Sequence, residues 1–192
     1  MRSRTHSIVL CGLSIALLTV GAAIILPLGP VPFTLQTLML VLITLILTPR
    51  EAIATVGGYL LLGAIGLPVF SGLTGGFGVL LGPTGGFLMG FLAGVLLLAL
   101  VRRIVGEKPV SRRASLALDF VSILILMVTY YTLGVLWFMY STGSTAIVAL
   151  TLCVVPFIVP DVLKAVAAFA CAQPIRVALG KHRFNHYLPS DG

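Results

Sequence analysis

Charge is what this sequence has least of. Asp, Glu, Lys and Arg together make up 9% of its 192 residues, against about 25% in soluble domains. So few ionic groups exclude an ordinary soluble protein. The three cysteines, Cys11, Cys153 and Cys171, stand alone in apolar sequence. No CxxC or Cys/His spacing offers a structural zinc site, so they read as small buried apolar residues. All three histidines lie near the termini, which leaves no Ser/His/Asp set, and HExxH is missing as well. His182 and His186 have helical spacing but sit in a basic tail, and no metal or cofactor is assigned to them. A phosphate-binding loop is also missing, so the chain cannot use ATP by itself.

What fills the chain instead is apolar, at 59% hydrophobic residues. At about twenty residues per crossing, this is one transmembrane domain over 1–192 with about five to seven spans. After the basic lead MRSRTHS, residues 8–28 read as an uncleaved first helix, too long for a signal-peptide core and without a small-residue cleavage site before Pro27. Gly12, Ala16, Thr19 and Ala23 line one face of it. The stripe suits close approach of another helix, either from the same bundle or from a partner. Gly29-Pro30-Val31-Pro32 ends this helix. Thr34 is the expected N-cap of a second helix over 34–48, and Gln36 in its first turn faces either a cavity or the interface. Pro49-Arg50-Glu51 reads as a turn before a third helix over 51–65. Both helices are short for a bilayer.

Residues 66–94, GLPVFSGLTGGFGVLLGPTGGFLMGFLAG, are apolar enough for a membrane yet too rich in Gly and Pro for an ordinary spanning helix. Thr74-Gly75-Gly76-Phe77 recurs as Thr84-Gly85-Gly86-Phe87. Irregular backbone at membrane depth is tolerated where protein or a water-filled cavity covers it, so the first half is expected to be an outer loop over a cavity. A fourth helix then runs from Gly86 to about Ile104. Gly82, Gly86, Gly90 and Gly94 recur every four residues, the small-xxx-small pattern of close helix packing.

The segment 102–113 is a polar loop. A fifth helix over 116–138 carries Tyr130, Tyr131 and Trp137, which form either an aromatic belt or part of a pocket wall. Residues 144–159 suit a half-helix, because Pro156 and Pro160 are expected to break the run. A sixth helix follows over 161–179. Asp119 is expected to pair with Arg112, Arg113 or a nearby loop.

With the N-terminus inside, Arg2, Arg4, Arg50, Arg102, Arg103, Lys108, Arg112, Arg113, Arg176, Lys181 and Arg183 all fall on the cytoplasmic face, eleven of the twelve basic residues. The positive-inside rule therefore puts both termini in the cytoplasm of a plasma-membrane protein and favours six crossings. The net charge of +7 is a topology signal, aided by anionic lipid, and no nucleic-acid footprint is read from it.

The twelfth basic residue is Lys164. With Asp161 it forms the lone charged pair in the outer half, where each ionisable group costs about 2.5–3.5 kcal/mol to insert and marks function by default. Three residues apart, they share a helix face. They either build a site or only fix helix packing. An intramembrane enzyme on this pair would need a nucleophile that the sequence does not display.

Pro30–Thr37, GLPVFSG, GPTGGF and PF-x-x-x-D-x-x-K, in this order and across nearly the whole chain, resemble the BioY family, the biotin-binding S-components of energy-coupling-factor (ECF) vitamin transporters. The resemblance implies an all-α integral membrane protein, a six-helix S-component-like bundle with a Gly-rich extracellular loop. It implies capture of biotin outside and delivery inward by a transmembrane coupling protein and ATPase subunits, with the first-helix stripe docking on the coupling protein. It likewise points to Asp161 and Lys164 as ligand contacts. Lys164, with three donors, suits either the biotin carboxylate or its ureido oxygen, and Asp161 suits ureido N–H groups. Backbone N–H groups near Gly75, Gly76 and Gly85 could add donors, and Phe70, Phe77 and Phe157 could cover the apolar body. Thr34 and Gln36 complete the candidate set. A self-sufficient biotin transporter is the alternative reading.

Overall fold

The computed structural model describes residues 4–26, 31–105 and 112–183. Eight helices lie among them: α1 Arg4–Ala23, α2 Gln36–Ile46, α3 Pro49–Ala64, α4 Phe77–Leu81, α5 Gly85–Val105, α6 Arg112–Thr142, α7 Ala146–Cys153 and α8 Val155–Arg183. A minimal antiparallel ladder joins β1 Ile25–Leu26 to β2 Phe33–Thr34. Four helices are long and apolar enough to cross a membrane: α1, α5, α6 and α8. With 11 and 16 residues, α2 and α3 reach only about 16 and 24 Å at about 1.5 Å per residue, short of the roughly 30 Å hydrocarbon layer.

Several boundaries differ from the sequence reading, each for a local reason. The N-cap of α2 is Leu35, while Thr34 Oγ1 accepts the Gln36 N–H from one position further back at 3.3 Å. Pro49 is the first residue of α3, where its missing N–H costs nothing. Thr48 caps this helix, and Glu51 Oε2 reaches back to its N–H at 3.0 Å and its hydroxyl at 2.7 Å, a capping box. The final helix starts at Val155, so Pro156 and Pro160 lie within it rather than breaking the chain before Asp161. Pro156 falls in the first turn, whose amides have no helical acceptor.

Packing follows the small residues. The α5 ladder runs along α6. A Cβ on Gly90 would stand 2.6 Å from Tyr130 Cα, one on Gly94 2.7 Å from Leu126 Cδ1, and one on Gly86 would strike Trp137 and the Leu133 carbonyl. Gly82 stands apart as the C-cap of α4. The stripe on α1 faces away from the bundle: Gly12, Ala16 and Ala23 are exposed, and Thr19 is half-buried with its hydroxyl bonded back to Ile15 O. The same helix buries Ser14, Leu18, Gly21 and Ala22. Gly21 lets α2 approach, since a Cβ there would lie 3.1 Å from Leu35 O. Leu40, Ile43, Val56 and Leu126 form the centre of the core. Of the cysteines, only Cys153 is buried; Cys11 is half-buried and Cys171 exposed on a face made for an apolar surrounding.

The expected partners of Asp119 are also corrected. Its carboxylate pairs with Arg176 of α8, with Nη2 2.7 Å from Oδ1 and Nη1 against Oδ2. Arg176 also donates to the Leu45 carbonyl from Nε at 3.0 Å and Nη2 at 2.7 Å. Helices α2, α6 and α8 are tied by this one guanidinium.

Candidate ligand-binding site

Asp161 and Lys164 sit on α8 and are 5% and 7% exposed. Their charged atoms are 2.8 Å apart. Burial of that kind is tolerable only with further partners, and the fold supplies them from three directions. Asp161 Oδ1 also accepts the Thr37 hydroxyl at 3.0 Å. Oδ2 accepts the hydroxyls of Tyr130 and Tyr131, each at 2.8 Å. Four bonds fill about four lone-pair positions of a carboxylate. Lys164 Nζ donates to Thr34 O at 2.7 Å and reaches Thr37 Oγ1 at 3.3 Å. It also lies 3.8 Å from the centre of the Phe33 ring, a cation–π geometry, and Phe33 stacks on Phe157 at 6.2 Å.

Beside this pair lies a cavity of about 340 Å³, in the range of small-molecule sites at roughly 300–1,000 Å³. Asp161, Lys164, Thr34, Gln36, Phe70 and Phe157 all line it. The structure therefore gathers these six candidates from three chain segments into one wall. Gln36 is oriented by a short relay: its Nε2 donates to Tyr59 OH at 2.9 Å, and Tyr59 donates to Val69 O at 2.8 Å. Phe70 is fully buried, edge-on to Tyr59 at 5.5 Å and seated over Gly63.

Gly75, Gly76, Gly85 and Phe77 do not line the cavity. The Gly76 amide donates to Gly63 O at 2.7 Å and that of Gly85 to Gly82 O at 3.0 Å, so neither is free for a ligand. Gly75 presses on its own loop, where a Cβ would fall 2.8 Å from Gly66 O. These glycines close the loop on itself. Phe77 is 63% exposed.

Sequence reasoning named Thr37 without giving it a role and left Tyr130 and Tyr131 between a belt and a pocket. Both tyrosines line the cavity, whereas Trp137 donates to Gly82 O at 2.9 Å and ties the loop to α6. Phe87 and Phe91 add aromatic wall and were not singled out. Their positions one and five residues after Gly86, on a helix whose glycines face α6, were the available signal. Among the described residues no group of three or more His, Cys, Asp and Glu could hold a metal. The His182 and His186 side chains lie outside those described.

Fold and site together define a multi-pass helical membrane protein with a small-molecule cavity walled by aromatic rings and one buried ion pair. The chain belongs to the BioY family, whose profile matches residues 1–181. It is 38% identical over 171 residues to the biotin transporter BioY of Thermotoga maritima, covering 89% of this chain and 96% of that one. To the probable biotin transporter BioY of Pyrococcus horikoshii it is 34% identical over 173 residues, covering 90% and 98%. The crystal structure of the S-component for biotin from an ECF-type ABC transporter superposes with a TM-score of 0.79 at 22% identity, covering 92% of this chain and 95% of that one. That last likeness speaks for the fold. The relatives are transporters, and the intramembrane-enzyme reading of Asp161 and Lys164 is set aside.

Proposed function

We propose that this chain is a biotin-binding S-component that takes biotin into the cavity beside Asp161 and Lys164 and passes it inward with an ATP-driven ECF coupling module. The observation that carries the reading is the buried pair in the cavity wall of a BioY-family chain: neutral overall, rich in donors and acceptors, and surrounded by rings that suit biotin's apolar bicycle. Thr34, Gln36, Phe70 and Phe157 complete the site.

Helices α1, α2, α3, α5, α6 and α8 make the six crossings, with the bilayer thinned locally around the short α2 and α3, and α7 is a half-helix. Several contacts support placing both termini on one side. Ser7 at the start of α1 donates to Glu51 at 2.9 Å. Arg102 near the end of α5 donates to Thr44 O at 3.2 Å, and Arg176 reaches Leu45 O. The start of α1, the α2–α3 turn and the far ends of α5 and α8 thus share one end of the bundle, and basic residues there make it the cytoplasmic one. The exposed stripe of Gly12, Ala16, Thr19 and Ala23 is the surface for the coupling protein, with lipid around the rest.

Titrating biotin into the purified chain in detergent tests capture; saturable binding is expected, and its absence would sink the reading. Uptake of labelled biotin by cells with and without the coupling subunits tests the partnership. Uptake that is unchanged without them would favour a self-sufficient transporter.

A further inference from the structure

Tyr59 stands behind the cavity wall without lining it. It is 1% exposed on α3, and its hydroxyl joins two segments that do line the cavity. The oxygen accepts from Gln36 Nε2 of α2 at 2.9 Å, and the hydrogen goes to the Val69 carbonyl at 2.8 Å, one residue before the cavity-lining Phe70. The ring is fixed as well. Phe70 meets it edge-on at 5.5 Å and is itself seated over Gly63, where a Cβ would overlap the Phe70 ring. The loop around Val69 is a firm reference: Phe70 N–H donates to Thr74 O at 2.9 Å, and Gly76 N–H to Gly63 O of α3 at 2.7 Å. A phenol has one hydrogen to give, and a carbonyl only accepts. The Val69 carbonyl takes that hydrogen, so the Tyr59 oxygen is left to accept, and this dictates the Gln36 amide. Turned the other way, Gln36 Oε1 and Val69 O would compete for one hydrogen, and one of them would lack a donor.

We infer that Tyr59 is a positioning residue for ligand binding: it hands the orientation of the Val69 carbonyl in the Gly-rich loop to the Gln36 side chain, which then holds Oε1 out as an acceptor. This rests on the biotin-binding reading above and concerns a residue outside the cavity wall. Among the described residues, Gln36 bonds beyond its own helix through Nε2 to Tyr59 and through its N–H to Thr34 Oγ1. Its Oε1 is left with no donor. On a residue that is 5% exposed and lines the cavity, such an oxygen is open to a ligand N–H. The relay thus ties the shape of the loop to the polarity that α2 shows the ligand.

The test is a double-mutant cycle on the purified full chain, read by biotin titration. Tyr59→Phe keeps the ring against Phe70 and removes only the hydroxyl; it is expected to weaken binding roughly tenfold. In a Gln36→Met background, which already lacks the amide, the same change should alter affinity by less than about twofold, because residues that act through one another are not additive. Equal losses in both backgrounds would overturn the assignment, since a residue that only supports the fold acts with or without the amide. Wild-type affinity in Tyr59→Phe would overturn it too. Should Tyr59→Phe fail to fold, Gln36→Met alone decides: a loss of at least roughly tenfold is expected, and wild-type affinity there would leave the relay without an output and refute it. If the unaltered chain does not bind biotin, the functional reading fails instead, so the two failures are distinct.

Discussion

Arg176 grips Asp119 with both terminal nitrogens while its Nε and Nη2 hold the last carbonyl-bearing turn of α2 at Leu45. The two residues are 57 positions apart in sequence, yet they lock three helices at the end of the bundle away from the cavity's loop. Removing one partner of such a pair strands a buried charge and costs about 3–5 kcal/mol. Arg176→Ala is expected to lower the unfolding temperature in detergent sharply, with biotin affinity of the surviving folded protein little changed. An Asp119→Leu, Arg176→Met double variant should recover much of the loss. A single variant as stable as wild type would show the clamp to be idle.

At the cavity, Lys164→Ala and Asp161→Ala are each expected to weaken biotin binding at least roughly tenfold, because an unmatched buried polar partner costs about 1–3 kcal/mol and more if charged. Equilibrium titration of folded variants checks this. Wild-type affinity in Lys164→Ala would remove the residue from the site. Restoration of binding by an apolar double replacement would reduce the pair to structure.

Helix packing and ligand affinity are linked through Gly90. Its Cβ position lies 2.6 Å from the Tyr130 Cα, a backbone atom that cannot rotate away, and Tyr130 in turn holds Asp161. Gly90→Val is expected to cost about 1–3 kcal/mol by overpacking and to weaken biotin binding as Tyr130 shifts. Gly12→Ala is the matched control: a Cβ there meets nothing within 4 Å, so unfolding and binding should be unchanged or slightly improved. Equal effects from the two would refute the packing account.

The outward stripe on α1 predicts a separation of function. Ala16→Trp should abolish biotin uptake in cells that carry the coupling subunits while purified protein still binds biotin as tightly as wild type. Uptake at the wild-type level would assign this face to lipid.

How much of this was legible beforehand depended on the range of the forces involved. The Gly ladder was readable over Gly86, Gly90 and Gly94 because a recurrence every four residues stays close to one face of a helix with about 3.6 residues per turn. The Asp161–Lys164 pair was readable because two charges in an apolar run have no inexpensive bland explanation. The glycines of 75, 76 and 85 misled, since a residue that permits close backbone approach does so equally for a ligand and for its own loop; here the approaching atoms are Gly66 O, Gly63 O and Gly82 O. The prolines of α8 misled for a related reason. Pro156 near a helix start and Pro160 inside it read alike in sequence, and only the position of the first turn tells them apart.

By itself the sequence determined the class of environment, the apolar segments, the clustering of its basic residues between those segments and the charged pair, all properties of composition or of neighbours within a few positions. Tertiary structure decided the rest. It chose Arg176 over Arg112 or Arg113 for Asp119, put Tyr130 and Tyr131 on Asp161 from 31 and 30 residues away, and set Thr37 across the pair from 124 residues away. Buried polar groups must find partners, but a chain in which several donors are chemically equivalent leaves the choice to the packing that brings one of them within hydrogen-bonding reach.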